Sequence, residues 1–448
     1  MTKKLLRSSF LLYLFLIPGL LWAFETLQTD GNRRVVTIGD IHGDYDALVS
    51  ILTTTGLINE AMDWTGGDTI LVQTGDLLDR GARVREVLEL MMSLEKQAPK
   101  MGGRVIVLLG NHETMNLTYF FRDVSSASYA QFTTAESEDK RERAYKAYVK
   151  LRRRRDAMMA IKGPRFNKEF KEAWMEHHPL GYLEYLEAIG PEGVYGRWLR
   201  QCPAIIQIDG KVFLHAGLNP DIYGSGWSVA EINAKVKEAL ARFDGYRKAM
   251  IDEKLIPASY DLGAILRAAK LHLQRPKRDM RGQPMRLTAG DRAFNEKMET
   301  FLKVRTGVLL DSKELLWFRG LAEWREDTHY QSVTNLLAAG GAQHFIAGHT
   351  PHPMGISRRF GGRVFLIDTG MLHHYYGGRP SALEIRGDTF TAIYPNETIV
   401  LSKGKPDQPP MAIVGDAPVQ GTAPKVPTTY QGKEDHQHQN HNESDDGE

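Results

Sequence analysis

The chain has 448 residues, with 57 Lys and Arg against 55 Asp and Glu, a formal net charge of +2, 42% hydrophobic and 25% charged residues, and one cysteine, Cys202. This is ordinary globular composition, which excludes a wholly disordered, collagen-like or multi-span membrane protein, and a charge near zero gives no argument for a nucleic-acid partner. A lone cysteine excludes an intramolecular disulfide and any zinc site built on two cysteines of this chain, so a metal must be held mainly by His, Asp, Glu or Asn.

At about 150 residues per domain, the length allows up to three domains or one large α/β domain with insertions. Lys3, Lys4 and Arg7 precede an apolar run over residues 10–24, broken at Pro18-Gly19 and with the small Ala23 near its end. A charged start, an apolar middle and a small-residue end predict a signal peptide over residues 1–23 and a place in the secretory pathway: secreted, lumenal or periplasmic. The run is shorter than the roughly 20 apolar residues of a membrane span. Cleavage would leave no stable membrane association; the alternative is a chain tethered by an uncleaved N-terminal anchor.

Next come three β-branched runs, each stopping at a polar cluster. VVTI at 35–38 leads into Gly39-Asp40-Ile41-His42-Gly43-Asp44, TILVQT at 69–74 into Gly75-Asp76-Leu77-Leu78-Asp79-Arg80-Gly81, and RVIVLL at 104–109 into Gly110-Asn111-His112-Glu113. Asp40 and Asp76 are 36 residues apart and Asp76 and Asn111 are 35 apart, about the length of a βαβ unit. The stretch 84–91 between two of the runs has helical character. Parallel strands joined by right-handed crossovers bring their carboxyl ends to one sheet edge, so the clusters are expected to converge there.

Periodicity predicts a helical insertion near 127–198, carrying the basic run 150–155, which reads as a solvated helix face. After a hairpin turn at Asp209-Gly210, KVFL at 211–214 ends at His215. A second helical insertion falls near 229–310. HFIA at 344–347 ends at Gly348-His349, a strand follows over 363–368, and a hairpin lies near Arg386-Gly387-Asp388. From Leu401 the composition turns to Pro, Gln, Thr, Lys and then acidic residues with His436, His438 and His441, which predicts a disordered acidic tail over 401–448. The body is thus 24–400. Asn-x-Ser/Thr triplets begin at Asn116, Asn396 and Asn442 and matter only on a eukaryotic secretory route.

Asp40, His42, Asp76, Asn111, His215 and His349 together supply oxygen and imidazole donors, with Asp76 central in the set. A shared carboxylate readily holds two cations about 3.5–4 Å apart, and Asp76 is the natural bridge.

GDIHG at 39, GDLLDRG at 75, GNHE at 110, HAGLNP at 215 and AGHT at 347 resemble, in order, the motifs of the calcineurin-like metallophosphoesterases of the phosphoprotein phosphatase type. GNHETMNL, VYGRWLR at 194–200 and LLWFRG at 315–320 are most similar to the Shewanella-like protein phosphatases. The resemblance implies an α/β sandwich of two central mixed β-sheets flanked by helices, a metallophosphatase domain over 24–400, and two divalent or trivalent ions: manganese, iron or zinc. It implies that Asp40, His42 and Asp76 bind one ion, and that Asp76, Asn111, His215 and His349 bind the other. Arg80, Arg319 and Asn111 would contact phosphate, and His112, oriented by Asp79, would be the general acid. The loop at 365–371 departs from the cysteine- and tyrosine-bearing loop of the eukaryotic Ser/Thr phosphatases, which argues against their toxin sensitivity.

The expected reaction is attack on a phosphomonoester by a metal-bridging hydroxide, with His112 protonating the leaving oxygen and no phosphoenzyme. The expected partner is a phosphorylated protein or peptide, at Ser/Thr or Tyr; the sequence names no regulatory subunit. A dinucleoside polyphosphate hydrolase is the alternative enzyme, and a catalytically silent phosphate-binding module is the reading from another class.

Overall fold

The computed structural model describes residues 26–158, 162–274, 283, 286–304 and 307–407. The expected signal or anchor segment, residues 1–23, and nearly all of the expected tail lie outside the described residues. Among the described residues, no helix is long and apolar enough to cross a membrane.

Two six-stranded sheets carry the fold. One runs β1 (Thr26–Leu27), β5 (Ile205–Ile208), β6 (Lys211–Leu214), β7 (His344–Ala347), β9 (Val364–Leu366) and β8 (Ser357–Arg359). The other runs β12 (Glu397–Lys403), β11 (Thr389–Tyr394), β10 (Ala382–Arg386), β2 (Val35–Ile38), β3 (Ile70–Gln73) and β4 (Arg104–Val107). Both are mixed: β2, β3 and β4 are parallel with β10 antiparallel to β2, and β6, β7 and β9 are parallel with β5 antiparallel to β6. The β5–β6 hairpin turns on Asp209 (φ 46°) and Gly210 (φ 77°), the paired positive φ values of the tight turn that Asp-Gly favours.

Successive residues of a strand face opposite layers. Val35, Ile70, Val72, Phe213, Ile346, Phe365 and Phe390 meet in a core shared by strands of both sheets, with Phe365 and Phe390 stacked at 4.2 Å. Their neighbours Val36, Ile38, Leu71, Val212, Leu214 and Phe345 enter the larger core that also takes in the helices. Because both faces are covered, the central strands read as continuous apolar runs rather than alternating ones.

Helices Ser126–Ala130, Ser137–Met158, Lys168–His177, Tyr182–Ile189 and Val194–Leu199 fill the first insertion region, and Val229–Asp252, Leu262–Gln274 and Ala289–Val304 the second. Within the basic run, Arg152 and Arg155 both bond the buried Asp156, so only part of it is a solvated face. VYGRWLR ties the insertions to the body: Tyr195 donates to Glu89, Trp198 to Glu95, and Arg200 clamps Asp244 with two bonds.

The tail boundary needs correction. β12 pairs with β11 as far as Lys403, and Asp407 still bonds Arg358 and the backbone N–H group of Asp407 reaches Gly361. Backbone pairing holds this segment, which needs no apolar composition.

Candidate active site

Strands β2, β3, β4, β6, β7 and β9 each lead, at their carboxyl ends, into one of the polar clusters, and the clusters meet as the spacing predicted. Asp40, His42, Asp76, Asp79, Asn111, His112, His215 and His349 are all buried. His42, Asp76, Asp79, Arg80 and His349 have φ between 50° and 71°. Such left-handed backbone in non-glycine residues persists only where the surroundings enforce it, and it clusters at functional sites.

The imidazoles are fixed by their rear nitrogens. His215 Nδ1 donates to the Thr74 carbonyl at 2.9 Å, His42 Nδ1 to Leu78 at 2.9 Å, and His349 Nε2 to Trp317 at 3.2 Å. Each ring therefore presents a lone pair on its other nitrogen. His215 Nε2 lies 2.8 Å from Asn111 Oδ1, 3.0 Å from His349 Nδ1 and 3.4 Å from Asp76 Oδ2. Four acceptors facing one another repel unless a cation lies between them. Ligands about 2.0–2.2 Å from a common ion stand at about these mutual spacings. Donor atoms of Asp76, His215 and His349 lie within 4.8 Å of one another, as do those of His42, Asp76 and His112. The donor set fits metal.

Electrostatics point the same way. Burial and the Arg80 charge hold His42 well below the ordinary imidazole value, and burial with His215 and Arg319 does so for His349, so both are neutral. Burial opposes the Asp76 charge, but positive charge on the rings around it, His215 first and then His112, holds its carboxyl well below the usual range, and a cation among these donors would do the same in place of the His215 proton. Asp40 is pushed well up by burial and by Asp368 and Asp76. Its carboxylate accepts from His349 N at 3.0 and 3.1 Å and is hydrogen-bonded to the Asp368 carboxyl, itself pushed up to about 6 by burial. Asp40 thus lies beside the His42–Asp76–His112 trio, turned toward the His349 loop. A Cβ on Gly348 would come within 2.3 Å of Asp40 Oδ1, so glycine leaves this carboxylate its place.

His112 differs from the other imidazoles. Its Nδ1 is 2.6 Å from Asp79 Oδ2, while Nε2 opens toward Asp76 Oδ2 at 3.9 Å and Asp123 Oδ2 at 3.8 Å. Burial works against its charge, yet Asp76 and the Asp79 bond hold it above the ordinary imidazole value. Arg80 Nη1 donates to His42 Nε2 at 2.8 Å, and its guanidinium lies 5.1 and 5.2 Å from the rings of Tyr375 and Tyr376. Arg319 Nη1 donates to the His349 carbonyl and to Thr350 Oγ1, which fixes it on the loop of the last histidine. Cys202 is buried and its thiol is pushed well up by burial, away from nucleophilic use.

Sequence reading left several site residues unassigned. Glu113 accepts from the backbone N–H groups of Asp76, Leu77, Leu78 and Gly110, joining two of the loops. Asp368 ends β9 as the other clusters end their strands, a signal that was available. Asp123, Asn116, Tyr375 and Tyr376 come from loops and helices that spacing does not connect.

The calcineurin-like phosphoesterase family matches residues 33–231. Over that segment, less than half of the chain, the protein is similar to this family. It is 28% identical over 386 residues to Shewanella-like protein phosphatase 2 of Arabidopsis thaliana, covering 82% of this chain and 78% of that one. It is 29% identical over 206 residues to Shewanella-like protein phosphatase 1 of Plasmodium berghei, covering 46% and 44%. Among solved structures, the cold-active protein-tyrosine phosphatase of a psychrophilic Shewanella species shares the fold, with a TM-score of 0.52, 20% identity and coverage of 84% and 82%. The enzyme is a metal-dependent phosphoester hydrolase.

Proposed function

We propose that this enzyme is a dinuclear phosphomonoesterase acting on phosphorylated protein or peptide, at Ser/Thr or Tyr. The observation that carries the reading is His112: one ring nitrogen bonded to a buried carboxylate, the other open beside the metal-donor set. Asp40, His42 and Asp76 would hold one ion, and Asp76, Asn111, His215 and His349 the second. Two ions on these donors, manganese, iron or zinc, would supply Lewis-acid neutralisation of phosphoryl oxygens and a water acidic enough to attack at neutral pH.

The remaining work falls to the chain's own groups. Arg80, planar and permanently charged, would bind equatorial phosphoryl oxygens once the ion takes His42 Nε2 from it, with the rings of Tyr375 and Tyr376 beside its guanidinium. Tyr375, 57% exposed, gives the mouth an aromatic rim on which a substrate side chain or aryl leaving group rests. Arg319 is the second clamp, and Asn111 also reaches phosphate. His112 gives its Nε2 proton to the leaving oxygen while Asp79 compensates the imidazolium charge until then.

The test is purified enzyme with elemental analysis, assayed side by side on phosphoserine, phosphothreonine and phosphotyrosine peptides and a dinucleoside tetraphosphate. Two ions per chain and turnover of the peptides are expected. Preference for the dinucleotide would replace the reading with the polyphosphate hydrolase, and peptide binding without turnover would replace it with the silent module. We further propose that residues 1–23 direct the chain into the secretory pathway; an intact Met1 in the secreted pool would contradict cleavage.

A further inference from the structure

The catalytic dyad does not end at Asp79. Among the described residues, the Asp79 carboxylate has two hydrogen-bond partners: His112 Nδ1 on Oδ2, and Asn116 Nδ2, which donates to Oδ1 at 2.9 Å. The same Asn116 nitrogen donates to the His112 carbonyl at 2.9 Å, and Asn116 Oδ1 accepts from the Tyr185 hydroxyl at 2.6 Å. Asn116 and Tyr185 have no exposed surface. The amide orientation follows from chemistry: an ionised carboxylate and a carbonyl accept only, so both protons of the Asn116 NH2 group face them, and the phenol must donate to the oxygen.

Asn116 lies on the helix Asn111–Leu117 that carries His112, four residues further on. Tyr185 comes from helix Tyr182–Ile189 of the first insertion, and its ring packs edge-on against Phe121, Tyr129 and Phe132 at 5.8, 5.4 and 5.0 Å. Burial keeps the phenol protonated. The aromatic cluster fixes the ring, the hydroxyl fixes the amide, the amide fixes Asp79, and Asp79 fixes the imidazole. Asn116 also begins an Asn-Leu-Thr triplet, and complete burial removes it as a glycan acceptor in the folded chain.

We propose that Asn116 and Tyr185 are positioning residues for the general acid, and that the first helical insertion thereby forms part of the proton-donating machinery rather than only a cap. This rests on the reading of His112 as acid. A buried network satisfied at every member holds its geometry tightly, and proton donation is sensitive to that geometry because small misplacements of a catalytic group cost rate steeply.

The experiment compares Tyr185→Phe and Asn116→Ala with the unaltered enzyme on a phosphoserine peptide and on an aryl phosphate whose leaving group needs little protonation. Metal content and thermal unfolding are measured alongside, and Tyr185→Phe, losing one oxygen, guards against a variant that fails to fold. Tyr185→Phe is expected to lower kcat on phosphoserine about 3- to 10-fold, the rate equivalent of one buried neutral hydrogen bond. Asn116→Ala is expected to lower it about 100-fold, with KM and metal content unchanged and the aryl phosphate affected by less than about 2-fold. Equal losses on the two esters, or unchanged phosphoserine turnover in both variants, would overturn the proposal. A readout without turnover, proton exchange at His112 Nδ1 by nuclear magnetic resonance on zinc-loaded enzyme, is expected to quicken in Tyr185→Phe; unchanged exchange would also overturn it. If the unaltered enzyme hydrolyses neither ester, the reaction assignment fails and the exchange measurement alone decides the relay.

Discussion

Glu113→Gln tests how the metal loops are held. The carboxylate takes four backbone N–H donors: Asp76 at 2.7 Å and Gly110 at 2.8 Å on Oε2, Leu77 at 2.8 Å and Leu78 at 3.3 Å on Oε1. A glutamine has one acceptor oxygen, so its NH2 group must face two of these donors, leaving them stranded in a site with no exposed surface. At about 1–3 kcal/mol for each stranded buried donor, the substitution costs about 2–6 kcal/mol. The donors are the backbone of Asp76, the proposed central ligand, and of the residue before Asn111, so metal affinity should fall about 10- to 100-fold as well. Burial and the Asp76 charge push the Glu113 carboxyl up to about 7; an ion on Asp76 removes the second influence, so the comparison is made on metal-loaded enzyme well above neutral pH. Chemical denaturation and metal titration are the assays. Stability within about 0.5 kcal/mol of the parent together with unaltered metal affinity would refute the reasoning.

Three other outcomes are expected. Arg80→Lys keeps the charge but loses the planar fork, and kcat/KM should fall about 10- to 100-fold, read by steady-state kinetics with metal content checked. Gly348→Ala drives a Cβ against Asp40 Oδ1, and metal affinity measured by competition with a chelator should fall about 10- to 100-fold while the fold survives. Burial depresses His344 to about 4, with Nδ1 donating to the Gly362 carbonyl and Nε2 buried without a hydrogen-bond partner among the described residues. Its contribution to stability is therefore present above the ordinary value near 6.5 and is lost as pH falls through about 4. The loss approaches about 3 kcal/mol and should shrink in His344→Gln when unfolding is followed across that window.

The central strands were legible because burial on both faces leaves an unbroken apolar run followed by a polar cluster. The edges were not: β8 is Ser-Arg-Arg, β1 has two residues, and β12 is largely exposed, so hydrogen bonding and not burial defines them. Which sheet the 211–214 and 344–347 runs join is a long-range choice that local pattern does not encode. At the site, the convergence of the strand-end clusters was legible because such residues keep short, local sequence neighbourhoods, whereas Glu113 and Asn116, inside the same motifs, went unassigned because their partners lie on other loops and helices. Tyr185 and Asn116 are 69 residues apart and meet through helix packing, and Tyr375 and Tyr376 reach Arg80 from a short helix beyond the last strand of their sheet. Asp368 carried the same strand-end signal as Asp40 but lay in a loop read for what it lacked.

The central claim is that two ions and a histidine acid divide the chemistry of one site, and His112→Asn tests it most directly. Asparagine removes the Nε2 proton while leaving Asp40, His42, Asp76, Asn111, His215 and His349 in place. The account predicts unchanged metal content and phosphoserine turnover lower by about 100-fold or more, with little change on an aryl phosphate. Unchanged turnover of phosphoserine by the metal-loaded variant would contradict it.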